Sequence, residues 1–426
     1  MNKRVLIVDS GGRGHALAWK IKQSPQLREL FVAPGNGGTE KIATNIPIAV
    51  TDTANLLSFA KREKIDLTIV GQDDALAHGI VDDFRAAGLR IFGPSKLATE
   101  IESSKAFSKE MMDEAEVQTP DHWIFSSAEN ALALIRTQRM PLVIKADGLA
   151  LGKGVRICHN IDEAQNAIAD FMVRRIHGNA GNSVVIEKFV VGKEVSVHAF
   201  CDGKNFSLFP PSQDHKPIFD GDKGKNTGGM GTVAPLPWLN DEFLADVGDQ
   251  VVRPILDVLA LNGRKFTGCL YPGLKMEGKA GIVVLEFNAR FGDPETQSYM
   301  RLLQSDLLEI LEACVDEKLD SISSKIRWAD QFACCVILAS GGYPDDYKKG
   351  FEIFGIEHAE KIAGVVVFHS GTVWDNKTLR TTGGRVLGVT ATGPTPGTAL
   401  NKAYLATDRI HFEGMHFRTD LGKGYL

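Results

Sequence analysis

Over the first 93 positions, short apolar runs at 5–8, 30–32, 67–70 and 90–92 alternate with amphipathic stretches of helical period at 16–24, 53–63 and 80–87. This strand–helix rhythm predicts a parallel, doubly wound sheet. Ligands of such sheets sit beyond the carboxyl ends of the strands. Here those ends are the loops 9–15, 34–39 and 71–76, each rich in glycine or acidic residues.

A second region opens near Ser103, with a predicted helix at 105–114, a strand at 141–146, a helix at 161–173 and a strand at 183–189. Longer β segments follow at 194–210 and 267–288, on either side of the glycine-rich stretch 226–231. After a helix at 307–314, a third region begins around 327, with strands at 332–338, 364–369 and 384–390. The expected architecture is α/β and α+β multidomain: an N-terminal doubly wound parallel sheet (1–102), a central body (103–326) and a C-terminal β-rich domain (327–426). The connections 211–231 and 341–350 are long for compact domains, which favours function over mere connection.

Val284-Leu285-Glu286-Phe287-Asn288-Ala289-Arg290 reads as an apolar strand whose end carries alternating polar groups, followed by a turn through Gly292, Asp293 and Pro294. Residues two apart on a strand share a face, so Glu286, Asn288 and Arg290 line up where the strand leaves the core. A carboxylate, an amide oxygen and a guanidinium together suit a magnesium ion carrying nucleotide phosphates. A solvated edge strand shows the same pattern, so the triplet gains meaning only from company elsewhere in the chain.

Composition narrows the partners. The chain has 426 residues, 43% hydrophobic and 24% charged, which is ordinary soluble globular protein of roughly two to four domains. A formal net charge of −5 gives no basic footprint, so no nucleic acid is expected and any phosphate binding must be local. The N-terminus runs straight into a strand, and no run of 18 apolar residues occurs, so a cytoplasmic protein without membrane association is expected, as monomer or homodimer. Cys158, Cys201, Cys269, Cys314, Cys334 and Cys335 lack a Cys-x-x-Cys spacing and are expected to be reduced core residues.

Two further motifs carry chemistry. Lys145 ends a strand and is followed by a turn with Gly148, Gly152, Lys153 and Gly154. Glycines let backbone N–H groups approach phosphate oxygens, while lysine supplies a point charge. It is not a Walker A loop: neither Ser nor Thr follows Lys153, and no helix opens directly after it. The second motif, Glu187 to Glu194, follows a Val-Val-Ile strand, so that backbone near Lys188 and Phe189 can read an adenine edge while Glu194 accepts ribose hydroxyls.

Taken in order, Lys105, Lys145, Glu187, Glu194, Glu286 and Asn288 resemble the ATP-grasp enzymes. Within that superfamily the chain resembles the phosphoribosylamine–glycine ligases along nearly its whole length. The matching segments include Ala33-Pro34-Gly35-Asn36, Ser104-Lys105-Ala106-Phe107, Gln213-Asp214-His215-Lys216, Asn226-Thr227-Gly228-Gly229, Arg290-Phe291-Gly292-Asp293-Pro294-Glu295, Gly341-Gly342-Tyr343-Pro344 and Gly383-Gly384-Arg385-Val386. The resemblance implies an ATP-grasp body with a lid at about 119–193, ATP and Mg²⁺ (or Mn²⁺) as cofactors, and small-molecule substrates. By position, Lys105 and Lys145 would contact phosphates, Lys153 would lie in the lid loop over them, Glu187, Phe189 and Glu194 would frame adenine and ribose, and Glu286 with Asn288 would hold the metal. Gly11, Gly12, Arg13, Asn36 and Asp73 would receive the amine substrate. Asp214, His215, Lys216, Asn226, Thr227, Gly228, Gly229, Arg290 and Asp293 would surround the carboxylate substrate and the moving phosphoryl group, with Lys145, Asn226, Arg290 and Asp293 nearest the chemistry.

The chain departs from that family on the substrate side. The family's first loop reads Gly-x-Gly-Gly-Arg-Glu-His-Ala, whereas this chain has Asp9 for the first glycine and Gly14 for the glutamate. Gln72 and Asp73 stand where Pro-Glu is usual, Pro217 replaces an arginine, and Lys225 replaces a proline. Asp9 adds negative charge where a phosphorylated amine is expected to approach. Two readings follow: drift in an enzyme that makes glycinamide ribonucleotide, or a paralogue that joins a different amine or acid. A silent ATP-binding protein is disfavoured by the presence of Glu286 and Asn288, and a Rossmann dehydrogenase by Asp9 in the first position of the would-be Gly-x-Gly-x-x-Gly.

Overall fold

The computed structural model describes residues 2–148, 154–277 and 281–424. Val5, Leu6, Ile7 and Val8 are wholly buried, as the central strand of a sheet covered on both faces requires. Their strand, Lys3–Asp9, lies in the middle of a five-stranded parallel sheet ordered Thr44–Asn45, Leu27–Pro34, Lys3–Asp9, Leu67–Val70, Ile91–Phe92. The chain leaves the central strand toward one edge and then crosses to the other, so the order reverses at the carboxyl end of Lys3–Asp9. The loops after Asp9, Pro34 and Val70 meet there, as the strand–helix rhythm predicts. Helix Gly12–Ile21 starts four residues earlier than its apolar pattern shows, because Gly12, Arg13, Gly14 and His15 are buried in the helix without carrying an apolar signal.

Helix Lys105–Glu114 has the bounds the sequence predicts, and its N-cap Ser104 Oγ accepts from the Phe107 N–H at 3.1 Å. A four-stranded sheet follows in the order His122–Phe125, Val184–Lys188, Leu142–Ala146, Val155–Cys158. Helices Ala128–Ile135 and Ile161–Ile168 pack on it around a core of their own that includes Ile135, Ile144, Ile168, Phe171 and Ile186. The predicted helix 161–173 ends at Ile168 and continues as a π-helical turn, Ala169–Val173. A second sheet joins Lys193–Ser196, Thr267–Glu277, Ala199–Asp202 and Phe206–Leu208, with Gly281–Asn288 paired to Thr267–Glu277.

The third sheet is antiparallel and ordered Gln213–Asp214, Gly231–Ala234, Phe332–Ala339, Arg385–Gly393, Val365–His369. Its first two strands flank the long connection seen in the sequence, so the stretch 215–230 is delivered to the centre of the molecule from the edge of the C-terminal sheet. Within it, Pro217–Phe219 and Lys223–Asn226 form a small hairpin. Helix Glu295–Leu302 packs between helix Gly12–Ile21 and this sheet. All six cysteines are free and buried. Among the described residues, no helix is long and apolar enough to cross a membrane.

Candidate active site

Strand Gly281–Asn288 slips register against Thr267–Glu277: Glu286 faces Gly273 while Val284 faces Leu274, which leaves Leu285 unmatched. A bulge of this kind takes a backbone group out of the ladder. The freed Leu285 carbonyl accepts from Lys145 Nζ at 3.0 Å. Lys145 also meets the Glu187 carboxylate at 2.8 Å, and Lys109 meets its other oxygen at 3.0 Å. Burial alone would raise the Glu187 pKa, but Lys145 and Lys109 outweigh it and hold the carboxyl below its ordinary value. Burial in turn brings Lys109 down to about 8, against the pull of Glu187. Glu187, expected beside adenine, is thus the buried anchor of two lysines.

Beyond the bulge, burial would raise Glu286, yet Lys216, Lys145 and Lys105 around it bring its pKa down to about 2. Lys216 Nζ lies 3.5 Å from Glu286 and 3.9 Å from Glu194. Lys105, lowered by burial although Glu286 opposes this, donates to the Gly148 carbonyl at 3.1 Å. Lysines converging on one ionised carboxylate make a place for a polyanion and its counter-cation. Asn288, buried on the same strand end, accepts through Oδ1 from Arg290 Nη2 at 3.1 Å, which keeps the three polar residues on one face as expected. Among the described residues no group of three or more His, Cys, Asp and Glu side chains is set to hold a metal. A magnesium ion held by Glu286 and Asn288 would therefore draw its other positions from phosphate oxygens and water, which is that ion's usual habit. The hard oxygen donors fit it.

Pairing of Lys193–Ser196 with Thr267–Glu277 sets Glu194 opposite Lys275. Lys275 Nζ stands 3.8 Å from Glu194 and 5.1 Å from the centre of the Phe189 ring, so Phe189 and Glu194 do lie together. The Lys188 N–H is committed to the Asp121 carbonyl. Asp147 accepts from Ser104 Oγ at 3.0 Å, the Ala106 N–H at 3.1 Å and Ser183 Oγ at 2.8 Å, which pins the start of the glycine-rich loop to helix Lys105–Glu114. Lys153 lies outside the described residues.

On the other side of the strand end, Arg290 is held by Glu102 at 3.1 Å, and Glu102 also accepts from the Ala289 N–H at 2.7 Å. Asp293 accepts from Gln297 Nε2 at 2.7 Å and stands 3.4 Å from Arg385. Burial works to raise its pKa, but Arg385 and Arg13 prevail and lower it. Asp214 is buried, and that burial, with Glu295 nearby, pushes its pKa well up. A Cβ on Gly229 would fall 2.6 Å from Asp214 Oδ1 and 2.4 Å from Pro294 Cδ, and its φ of +111° also demands glycine. The Thr227 hydroxyl donates to the Lys216 carbonyl at 2.7 Å and accepts from the Gly229 N–H at 3.0 Å, fixing the glycine turn. Asn226 is exposed in the adjoining hairpin.

Sequence comparison decides the family. Profiles of phosphoribosylglycinamide synthetase match the chain three times: the N domain over residues 3–102, the ATP-grasp (A) domain over 103–296 and the C domain over 333–424. The chain belongs to the phosphoribosylglycinamide synthetase family. It is similar to the phosphoribosylamine–glycine ligases of Rhodopirellula baltica (46% identical, covering 98% of this chain and 96% of that protein) and Escherichia coli (44%, covering 98% of each). The crystal structure of phosphoribosylamine–glycine ligase from Thermotoga maritima superposes with a TM-score of 0.81 at 30% identity, covering 98% of this chain and 99% of that one.

Within the phosphoribosylglycinamide synthetase family, this chain's departures have local explanations. Asp9 is wholly buried: it accepts from the Gly11 N–H at 2.6 Å and from Arg13 Nε at 3.1 Å, so its charge is turned into the protein, not toward an approaching ligand. Gln72 Nε2 donates to Ser10 Oγ at 3.2 Å and ties the first and third loops together. Asp73 lies close enough to Arg290 and Glu102 to act on both electrostatically. Lys225 pairs with Asp345 at 2.8 Å on the exposed surface, and the Pro217 carbonyl accepts from Arg418 at 3.1 Å.

Two residues expected to bind substrate are spent inside the protein. Asn36 donates to the carbonyls of Ser10, Gly11 and His369 at 3.1, 3.2 and 2.8 Å and accepts from the N–H groups of Gly38 and Thr39 at 2.9 and 3.1 Å, so it shapes the loops. His215 points away from Asp214 and Lys216: Nε2 accepts from the Gly422 N–H at 3.3 Å, which leaves Nδ1 to donate to the Gly231 carbonyl at 3.2 Å. A Cβ on Gly12 would lie 2.5 Å from Gln297 Nε2 and 2.6 Å from Ser370 Oγ, so a side chain there would have to shift both. Glu102, Lys109, Glu295 and Arg385 escaped the sequence reading. Arg385 and Glu295 had a signal, as members of the matching segments Gly383-Gly384-Arg385-Val386 and Arg290-Phe291-Gly292-Asp293-Pro294-Glu295.

Proposed function

We propose that this chain is an ADP-forming ligase that joins the carboxylate of glycine to 5-phosphoribosylamine and makes glycinamide ribonucleotide for purine synthesis. The carrying observation is the intact nucleotide side: Lys105, Lys145 and Lys216 gathered about an ionised Glu286, next to Asn288 and Arg290. It belongs to a chain 44–46% identical, over nearly its whole length, to proteins named for that reaction.

Phosphoryl transfer needs positioning and charge neutralisation more than acid–base chemistry. Lys105 and Lys145 are placed to bind phosphate oxygens, with Lys145 oriented by Glu187 and the Leu285 carbonyl. Glu286 and Asn288 would hold magnesium, whose chemistry there would be neutralisation of phosphate charge. Arg290, set by Glu102, would face the charge that develops as the glycine carboxylate attacks the γ-phosphate, the bond to the bridging oxygen breaks, ADP leaves and an acyl phosphate remains. The amine, delivered at the Gly11–Arg13 loop across from Asp293, then attacks the acyl carbon, and phosphate leaves as the C–N bond forms. The lid's glycine-rich loop, anchored through Asp147, would keep water from that acyl phosphate.

The test is ADP release with Mg-ATP and glycine, run with freshly generated phosphoribosylamine and then with other amines. ADP release strictly dependent on phosphoribosylamine is expected. Turnover of another amine under conditions where phosphoribosylamine gives none would establish the paralogue instead.

A further inference from the structure

Strands Lys193–Ser196 and Ala199–Asp202 pair with Thr267–Glu277 in one continuous register, Ser196 against Gly273 and Ala199 against Leu270, so His198 stands opposite Tyr271. Tyr271 in turn stands opposite Asn288 on the next strand. Directly opposed residues share a face, so His198, Tyr271 and Asn288 form a row that runs from the interior to the strand end carrying Arg290. The His198 ring is wholly buried and stacks on Tyr271, with ring centres 4.0 Å apart at 17°.

Its Nε2 accepts from the Gly292 N–H at 3.1 Å. An accepting ring nitrogen carries no proton, so the imidazole is the neutral Nδ1–H tautomer. Burial first, then the Arg290 charge, lowers its pKa well below the ordinary value, so that form persists. Nδ1 finds no partner among the described residues. A buried N–H left unpaired costs stability that an apolar side chain at the same position would not. Packing alone therefore does not ask for a histidine here; the Nε2 acceptor does.

Gly292 lies between Arg290 and Asp293. A Cβ on it would stand 2.7 Å from His198 Nε2 and 2.4 Å from Glu295 Oε2, so its backbone is pressed against both side chains. The Tyr271 hydroxyl donates to Glu295 Oε1 at 2.6 Å. The stacked pair thus grips the turn twice, through the ring nitrogen at Gly292 and through the phenol at Glu295. We propose that His198 is a positioning residue for the acceptor side of the site: by accepting the Gly292 N–H it fixes the turn that sets Arg290 and Asp293 about the reacting groups. Its link to turnover rests on the reaction proposed above.

Three variants of the full chain test this, with kcat for ADP formation and KM for ATP measured for each. His198→Phe keeps a ring on Tyr271 but removes the acceptor, and kcat is expected to fall about 10- to 100-fold, the worth of one buried N–H left unpaired, with KM for ATP within about twofold. His198→Gln loses the ring, yet its Oε1 reaches the place of Nε2, so kcat is expected within about threefold of the starting protein although its denaturant midpoint falls. His198→Asn is one methylene too short to reach Gly292 and is expected to match the Phe variant, which keeps the comparison decisive if the Phe variant folds poorly. A residue that only packs gives the opposite order, with Phe active and Gln impaired. That order, or equal kcat in Gln and Asn, would overturn the proposal. Nitrogen-15 spectra of the histidines, taken without substrate, read the geometry independently: the ring signal lost in His198→Gln should be that of an Nδ1–H tautomer, and an Nε2–H signal would overturn the assignment. Failure of the unmodified chain to use phosphoribosylamine would overturn the proposed reaction alone, since the tautomer signal, and ADP release with whichever amine serves, still decide the role of His198.

Discussion

Arg385 reaches from the C-terminal sheet to Asp293: Nη1 donates to the Asp293 carbonyl at 2.6 Å, and Nη2 stands 3.4 Å from the carboxylate. The same Nη1 donates to the Gly228 carbonyl at 2.6 Å. One planar guanidinium therefore clamps the turn after strand Gly281–Asn288 to the glycine-rich turn 226–231. The C-terminal domain completes the site by holding these two turns in register.

A lysine cannot reproduce that fork, because its compact ammonium has no fixed pair of parallel donors. Arg385→Lys should lower kcat/KM for glycine about 100-fold through misplacement of the two turns, while nucleotide binding stays near its starting value. Steady-state kinetics with glycine varied, beside ATP binding by calorimetry, would check the split. Equal losses toward glycine and ATP would mean that the clamp supports the whole body, not the acceptor side.

Glu286→Gln removes the charge while keeping the shape. ADP formation should fall by more than about 100-fold with every amine and acid pair, since even residues that only orient metal ligands are worth 10–100-fold. Raising magnesium or substituting manganese should restore part of the loss. Activity close to that of the unmodified chain would discard Glu286 as a metal ligand.

Glu187 predicts a stability effect. It is nearly inaccessible to solvent and neutralises two buried ammonium groups, Lys145 and Lys109. Glu187→Gln removes the nearest counter-charge of both, leaving only the more distant Glu286, and should destabilise the chain by about 3 kcal/mol in urea unfolding, with a raised KM for ATP as Lys145 loses its orientation. Combining it with Lys109→Met should recover part of the stability without restoring the KM. If the single variant unfolds at the original midpoint, the pair is not the anchor described.

The contrast between Glu187 and Asp9 shows where sequence stops. Local pattern specifies helix Lys105–Glu114, whose cap and apolar face are both nearby, and the parallel strands, whose apolar runs need no partner to be recognised. It cannot specify that Gly231–Ala234 pairs with Phe332–Ala339, because that register joins segments far apart in the chain. Glu102 reads as the exposed face of a helix until Arg290 is found beside it. The direction of Asp9 depends on the missing side chains of Gly14 and Gly71, one of them from another loop. His215 is a similar case: its strand, Gln213–Asp214, ends before it, and its direction is set by the Gly422 N–H and the Gly231 carbonyl, both from other segments.

The last prediction concerns the acid limb of stability, through His15. Its Nδ1 accepts from the His369 N–H at 2.8 Å, and it packs edge-on to Phe368. Burial, helped by Lys41, lowers its pKa to about 3, so the folded protein keeps it neutral while the unfolded chain takes up a proton near the ordinary value of 6.5. Between those two values the unfolded state binds more protons, so stability is full above about pH 6.5 and falls as pH drops toward 3, by about 1.4 kcal/mol per pH unit for this group. His198, His215 and His369 are lowered by burial as well and steepen the same limb, so the contribution must be isolated by substitution. His15→Asn offers Oδ1 to the His369 N–H without titrating. Its stability should be lower at every pH from lost packing, but the drop between about pH 7.5 and 5.5 should be smaller than that of the unmodified chain by about 1.4 kcal/mol. Denaturant unfolding at both values measures this directly, and identical drops in the two proteins would remove His15 from the acid limb.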